Sequence, residues 1–268
     1  MPGLKPVLEL LAHSPERVDA VFLRKGRHSR DMESIVDACR AAGVRFSLLP
    51  PPSFARIYAG KSQGVVARLF EAGFMELDAL LDTVQDAPLP LLLALDQVQD
   101  PGNAGTLARS LYAMGGAGII VPRHNGVYLG AAAAKAAAGA LELLPVAKSA
   151  NLGQALDKAG KLGITVYGAV SLPPAAPAPQ ERTKARPGQA PAALSPLNIF
   201  YEAPRLPALL VLGSEDSGLR PGMEKRCDFL VSIPMLRDFD SLNVAQAGAM
   251  LLAWFARHQF MHQQSTKS

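Results

Sequence analysis

Apolar runs with almost no polar interruption set the strongest limit on the fold. Residues 91–95 read Leu-Leu-Leu-Ala-Leu, residues 117–121 Ala-Gly-Ile-Ile-Val, residues 209–212 Leu-Leu-Val-Leu and residues 229–233 Phe-Leu-Val-Ser-Ile. A strand with one wet face alternates apolar and polar residues, whereas a strand covered on both faces does not. Helical patterns lie between these runs, which makes a parallel sheet covered on both sides the expected core. The expected helices are 106–114 with Asn103 as N-cap, an Ala-rich 131–138 carrying Lys135, 152–162, a short 219–227 and a final 244–258. Further strands are expected at 141–146 and 164–170. In open α/β sheets, ligands bind outside the carboxyl ends of the strands. The segments that follow the apolar runs at 96–105, 213–218 and 234–243 are therefore where a site is expected.

Ahead of this sheet, residues 1–84 read as a smaller α/β domain. Its expected elements are a helix at 4–13, a strand at 18–23, a helix at 31–42 ending at Gly43, strands at 44–49 and 63–68, and a short helix at 76–84. Arg24, Lys25, Arg27 and Arg30 place four positive charges in seven residues. Such a run is either a solvated loop or a phosphate contact. Residues 1–68 hold 11 Lys and Arg against 6 Asp and Glu, which favours this domain as the side that meets a polyanion. The prolines in 85–90 mark a linker, leaving 91–268 as the second domain. Within it, 172–197 is rich in Pro and Ala, with too little apolar bulk for a core, and reads as a surface insertion.

Several classes are excluded or disfavoured. The chain has 268 residues, of which 49% are hydrophobic, enough for a sizeable core. No apolar run reaches the ~18 residues needed to span a bilayer, and the first residues lack the pattern of a signal peptide. Two cysteines far apart, Cys39 and Cys227, argue against a disulfide framework and fit a cytoplasmic protein. The net charge of +4 permits a nucleic-acid partner without requiring one. His and Cys show no metal-ligand spacing, and the phosphate-binding glycine motifs are missing. Ser217 in Glu-Asp-Ser-Gly lacks the G-x-S-x-G turn that a hydrolase nucleophile needs.

What remains is a set of strand-end loops with Asn, Glu or Ser beside Gly or Pro. Asn103-x-Gly105-x-x-x-Arg109, then Leu212-Gly213-x-Glu215-x-x-Gly218-Leu219, then Ile233-Pro234-Met235 followed by Ser241-Leu242-Asn243-Val244, resemble the three motifs of the SpoU (TrmH) branch of the SPOUT RNA methyltransferases. Asp96-x-Val98-x-Asp100-Pro101, Lys135 with Gly139-Ala140-x-Glu142, and Gln63-Gly64-Val65 fit the same pattern. The resemblance covers nearly the whole chain and is closest to the members that methylate a guanosine ribose in 23S rRNA. Ser62, Ala137, Arg237 and Ala245 depart from residues frequent in relatives, and leave the motif positions intact.

The resemblance implies an L30e-like RNA-binding domain followed by a parallel-sheet methyltransferase domain with a C-terminal trefoil knot. It implies S-adenosylmethionine as cofactor, lined by Gly213, Gly218, Ile233 and Leu242, with no metal. It also implies RNA as partner, contacted by Arg24, Lys25, Arg27 and Arg30, and a homodimer through the second domain. Arg109 would activate a ribose 2′-OH, with Asn103, Glu215 and Asn243 orienting both Arg109 and the ribose. Against this stands a purely structural account, with Asn103 and Asn243 as helix caps and Arg109 paired with Glu215. A tRNA substrate, or an RNA-binding assembly factor without catalysis, remains an alternative function.

Overall fold

In the computed structural model, residues 1–26, 30–70, 73–171, 196–237 and 241–265 are described, Arg30, Asp31 and residues 262–265 by backbone alone. Two units result, Met1–Phe74 and Met75–Ser268. The first begins with α1 (Leu4–His13), whose Val7 and Leu11 lie one turn apart and are both buried. It continues with β1 (Val18–Arg24), α2 (Arg30–Ala41), β2 (Phe46–Leu49), α3 (Pro51–Ile57) and β3 (Val65–Leu69). The sheet runs β2-β1-β3, with β1 parallel to β2 and antiparallel to β3. Pro51 opens α3, because a first-turn position needs no backbone N–H. Asp19 is a buried carboxylate in β1, offset by Arg45 at 3.2 Å and Arg68 at 2.6 Å.

The second unit opens with α4 (Leu77–Asp82), which the sequence reading assigned to the first domain. Its Leu80 and Leu81 are buried among Leu92, Ile120 and Ala147 of the larger sheet's unit. Then come β4 (Leu89–Leu95), α5 (Pro101–Ala113), β5 (Gly116–Pro122), α6 (Ala131–Ala137), α7 (Ala140–Leu143), β6 (Val146–Ser149), α8 (Leu152–Lys161) and β7 (Thr165–Ala169). The chain is described again through β8 (Leu197–Asn198), β9 (Ala208–Leu212), α9 (Pro221–Glu224), β10 (Phe229–Ser232) and α10 (Val244–Ser265). All seven strands are parallel, in the order β6-β5-β4-β9-β7-β10-β8. Leu91, Leu92, Leu93 and Leu95 of the central β4 are all essentially inaccessible. Each such side chain contributes about 1.5–3 kcal/mol by leaving water.

Several expected elements differ. The strand at 141–146 is replaced by α7 and, beyond Pro145, β6. The helix at 219–227 is only the four residues of α9. The insertion expected at 172–197 lies outside the described residues from 172 to 195, and Leu197 belongs to β8, paired with Val231. The last helix runs on to Ser265, since its Gln and His residues carry no helix-breaking chemistry. That helix is anchored by an aromatic cluster. Tyr167 stacks on Phe229 at 5.4 Å and meets Trp254 and Phe255 edge-on at 5.9 and 5.2 Å.

Both cysteines are buried. Burial pushes the Cys39 thiol up to about 11, and burial with the nearby charges of Asp228 and Glu224 pushes Cys227 up to about 12. Raised values keep both thiols protonated at neutral pH, and only the thiolate attacks. In the folded protein at pH 8, neither cysteine is expected to react with an aromatic disulfide reagent, and both react once denaturant is added. Rapid labelling of either under native conditions would contradict the buried environment.

Candidate active site

β4 and β9 are neighbours whose last residues, Leu95 and Leu212, pair directly, so the loops that follow them leave the sheet side by side. Asp100, not Asn103, caps α5. Its Oδ1 accepts the Asn103 backbone N–H at 2.7 Å, with Pro101 in the first helical position. The helix thus starts five residues earlier than expected, and the Asn103 side chain is released from capping. Its Nδ2 donates to Glu215 Oε1 at 2.6 Å. Asn243, just before α10, does both jobs. Its Oδ1 accepts the backbone N–H groups of Ala245 at 2.9 Å and Gln246 at 3.4 Å. Its Nδ2 donates to Glu215 Oε1 at 2.7 Å and to Asn103 Oδ1 at 3.2 Å. One carboxylate oxygen therefore gathers two amides from distant parts of the chain.

Arg109 does not join this trio. It is exposed on α5, six residues beyond Asn103, or about 9 Å along the helix axis. It forms no ion pair among the described residues, so the structural pairing with Glu215 is absent.

Glu215 also lines a cavity of about 450 Å³. Gly213, Gly218, Ile233 and Leu242 line it too, as do Ala169, Val170 and Ser171 at the carboxyl end of β7, which the sequence reading did not single out. The size and the mix of apolar wall with a few polar groups suit a small organic ligand. A Cβ on Gly213 would lie 2.2 Å from the carbonyl carbon of Gly218 and 2.4 Å from the Leu219 nitrogen. The glycine is needed because the loop folds back on it, rather than to admit a ligand. Ser214 and Gly218 close that loop with reciprocal backbone bonds of 3.1 and 3.0 Å, and Gly218 has a φ of +64°. Ser217 Oγ sits 2.8 Å from Ser214 Oγ, a contact internal to the turn. A second cleft of about 370 Å³, between Phe200, Tyr201, Trp254 and Arg257, takes no residue from these loops.

The sequence reading also missed Arg220. Its Nε and Nη2 donate to Asp96 Oδ1 at 2.8 and 2.5 Å, and Asp96 is fully buried. A carboxylate ending a fully apolar strand signals that a partner must exist, but a partner 124 residues away cannot be found from spacing. Among the described residues no group of His, Cys, Asp and Glu could hold a metal. Of the basic residues, Arg24 ends β1 and Lys25 follows it, both exposed. Arg27 lies outside the described residues, as does the Arg30 side chain.

A parallel α/β domain with a ligand-sized cavity at the carboxyl ends of its strands follows the usual placement of ligand sites in such sheets. Comparison with known proteins makes the class specific: this chain belongs to the SpoU rRNA Methylase family, which matches residues 90–253. Residues 2–75 match the family described as RNA 2'-O ribose methyltransferase substrate binding. The chain is 32% identical over 255 residues to the 23S rRNA (guanosine-2'-O-)-methyltransferase RlmB of Yersinia pestis, covering 93% of each chain. It is 30% identical to the RlmB of Coxiella burnetii, covering 93% of this chain and 92% of the relative. In fold it resembles the SpoU methyltransferase AviRb from Streptomyces viridochromogenes, solved in complex with AdoMet. The TM-score there is 0.55 at 21% identity, over 97% of this chain and 90% of that one.

Proposed function

We propose that this protein transfers a methyl group from S-adenosylmethionine to the ribose 2′-OH of a guanosine in 23S rRNA. The observation that carries the reading is the Asn103–Glu215–Asn243 trio, built onto the wall of a ligand-sized cavity. Gly213, Gly218, Ile233 and Leu242, which line the cavity, would hold the cofactor. When bound, the cofactor supplies an electrophilic methyl on a sulfonium whose leaving group is neutral, so no metal is needed. The chain's task is to make an alcohol nucleophilic. Arg109 is always charged and acts as a cation that stabilises the developing alkoxide. Asn103, Glu215 and Asn243 orient the ribose, and the second Glu215 oxygen, Oε2, accepts the hydroxyl's hydrogen bond and takes its proton as the O–C bond forms and the S–C bond breaks, passing it on to water.

The unit Met1–Phe74 presents the RNA, through Arg24 and Lys25 and with Arg27 and Arg30 nearby in sequence. The protein works as a cytoplasmic homodimer through the second unit, a reading supported by exposed Tyr112 and Met114 at the end of α5 and exposed Met250, Phe260 and Met261 on α10. Among the described residues no helix is long and apolar enough to cross a membrane. The strand order, with β9 between β4 and β7 and β10 beyond β7, supports a knotted C-terminal segment as in the family.

The test is transfer of labelled methyl to unmodified 23S rRNA and, separately, to unmodified tRNA, with the product mapped at nucleotide resolution. One 2′-O-methylguanosine in 23S rRNA is expected. Product in tRNA moves the substrate and keeps the chemistry. RNA binding with no transfer to either would replace the enzyme with an assembly factor.

A further inference from the structure

We infer that Asp96 and Arg220 are positioning residues that clamp the two loops of the catalytic trio, an inference that rests on the function proposed above. Neither lines the cavity or is hydrogen-bonded to Asn103, Glu215 or Asn243. Asp96 is the first residue past β4. Its backbone N–H extends the sheet ladder to Leu212 O at 2.7 Å, which fixes it beside the start of the Gly213 loop. Among the described residues its carboxylate bonds all go to Arg220: Nε at 2.8 Å and Nη2 at 2.5 Å to Oδ1, and the backbone N–H at 3.2 Å to Oδ2. Arg220 ends the Gly213 loop and caps α9. The bonds therefore join the root of the loop leading to Asn103 to the far end of the loop that carries Glu215.

Stability alone does not account for this arrangement. Only Asp96 of the pair is buried, while Arg220 is exposed, and burying a carboxylate costs desolvation that offsets much of the attraction. What the pair adds is direction, since the planar guanidinium sets two N–H groups on Oδ1 while the Arg220 backbone N–H holds Oδ2. Between Gly213 and Arg220 the loop is held internally only by the Ser214–Gly218 pair and the two serine hydroxyls. Leu219 and Met223 anchor the far end in the core, so loss of the pair would loosen the turn about Gly213 rather than release it. Glu215 would then drift from Asn103 and Asn243, and the Gly218 wall of the cavity would move with it.

The test uses the full-length protein with Asp96→Asn, Arg220→Ala, the double variant and Arg220→Lys. Three quantities are measured: S-adenosylmethionine affinity by calorimetry, kcat and KM for methyl transfer, and amide hydrogen exchange at Ser214 and Gly218 without cofactor. Each single variant is expected to weaken cofactor binding by about tenfold and to speed exchange at both amides, with the double variant no worse than the weaker single. Arg220→Lys, which keeps charge but not the fork, is expected to fall between Arg220→Ala and wild type. Arg220 is partly exposed, so its alanine variant decides the matter if Asp96→Asn fails to fold. Affinity within twofold of wild type with unchanged exchange, or additive losses in the double variant, would overturn the clamp. A wild-type protein that binds no cofactor would instead overturn the functional reading, while the exchange rates still report whether Asp96 and Arg220 hold the turn.

Discussion

Replacing Arg109 by alanine is expected to lower methyl transfer by roughly 10²–10³-fold, the range seen when one stabilising donor is removed from a developing oxyanion. The affinities for S-adenosylmethionine and for RNA should change little. The expectation follows from where the side chain sits. Arg109 is exposed on α5, with no ion pair among the described residues, so alanine leaves no charge uncompensated and no cavity. The Asn103–Glu215–Asn243 trio and the cavity wall should survive unchanged. A guanidinium cannot take a proton from the ribose hydroxyl at neutral pH, so its effect should fall on kcat and not on KM. Single-turnover transfer with saturating RNA and cofactor, beside calorimetric binding of each, separates these quantities. Turnover within threefold of wild type would remove Arg109 from the chemistry and leave the trio as the whole machinery.

The layout of the sheet was legible because buried parallel strands carry their own signature. The runs at 91–95, 117–121, 209–212 and 229–233 all became strands, and the cavity lies at the carboxyl ends of β7, β9 and β10, with Asn103 at the start of α5 after β4. Asn103, Glu215 and Asn243 could be named because three ordered motifs constrain one another. The start of α5 was misplaced for a physical reason. Gly102 and Gly105 weaken a helical pattern, yet Gly105 is there for packing: a Cβ would stand 2.3 Å from the Ala133 carbonyl oxygen of α6. The Asp100-Pro101 pair was the available signal, a capping carboxylate followed by the residue best suited to the first turn. At 141–146 a short apolar run ending in proline is compatible with either helix or strand, and only packing decides. The Asp96–Arg220 pair and the fold-back of Gly218 onto Gly213 are long-range or backbone-to-backbone facts, to which residue spacing is blind.

That fold-back makes Gly213→Ala the second large effect. The added methyl would meet the Gly218 carbonyl carbon and oxygen at 2.2 and 2.3 Å and the Leu219 nitrogen at 2.4 Å. All three are backbone atoms, so no side-chain rotation relieves the contact and the turn itself must withdraw. Withdrawal breaks the reciprocal Ser214–Gly218 bonds and carries Glu215 away from both asparagines. Overpacking of this kind costs about 1–3 kcal/mol. If that cost falls on the cofactor-competent loop, affinity for S-adenosylmethionine drops by roughly 10–100-fold. Gly218→Ala provides the comparison. Nothing lies within 4 Å of a Cβ there, and the change meets only the strain of a φ of +64°, about 1–2 kcal/mol for an ordinary residue. Calorimetric titration of both variants should therefore rank Gly213→Ala as the more damaging. The opposite order would mean that the left-handed turn at Gly218, and not the close approach at Gly213, sets the shape of the cavity wall.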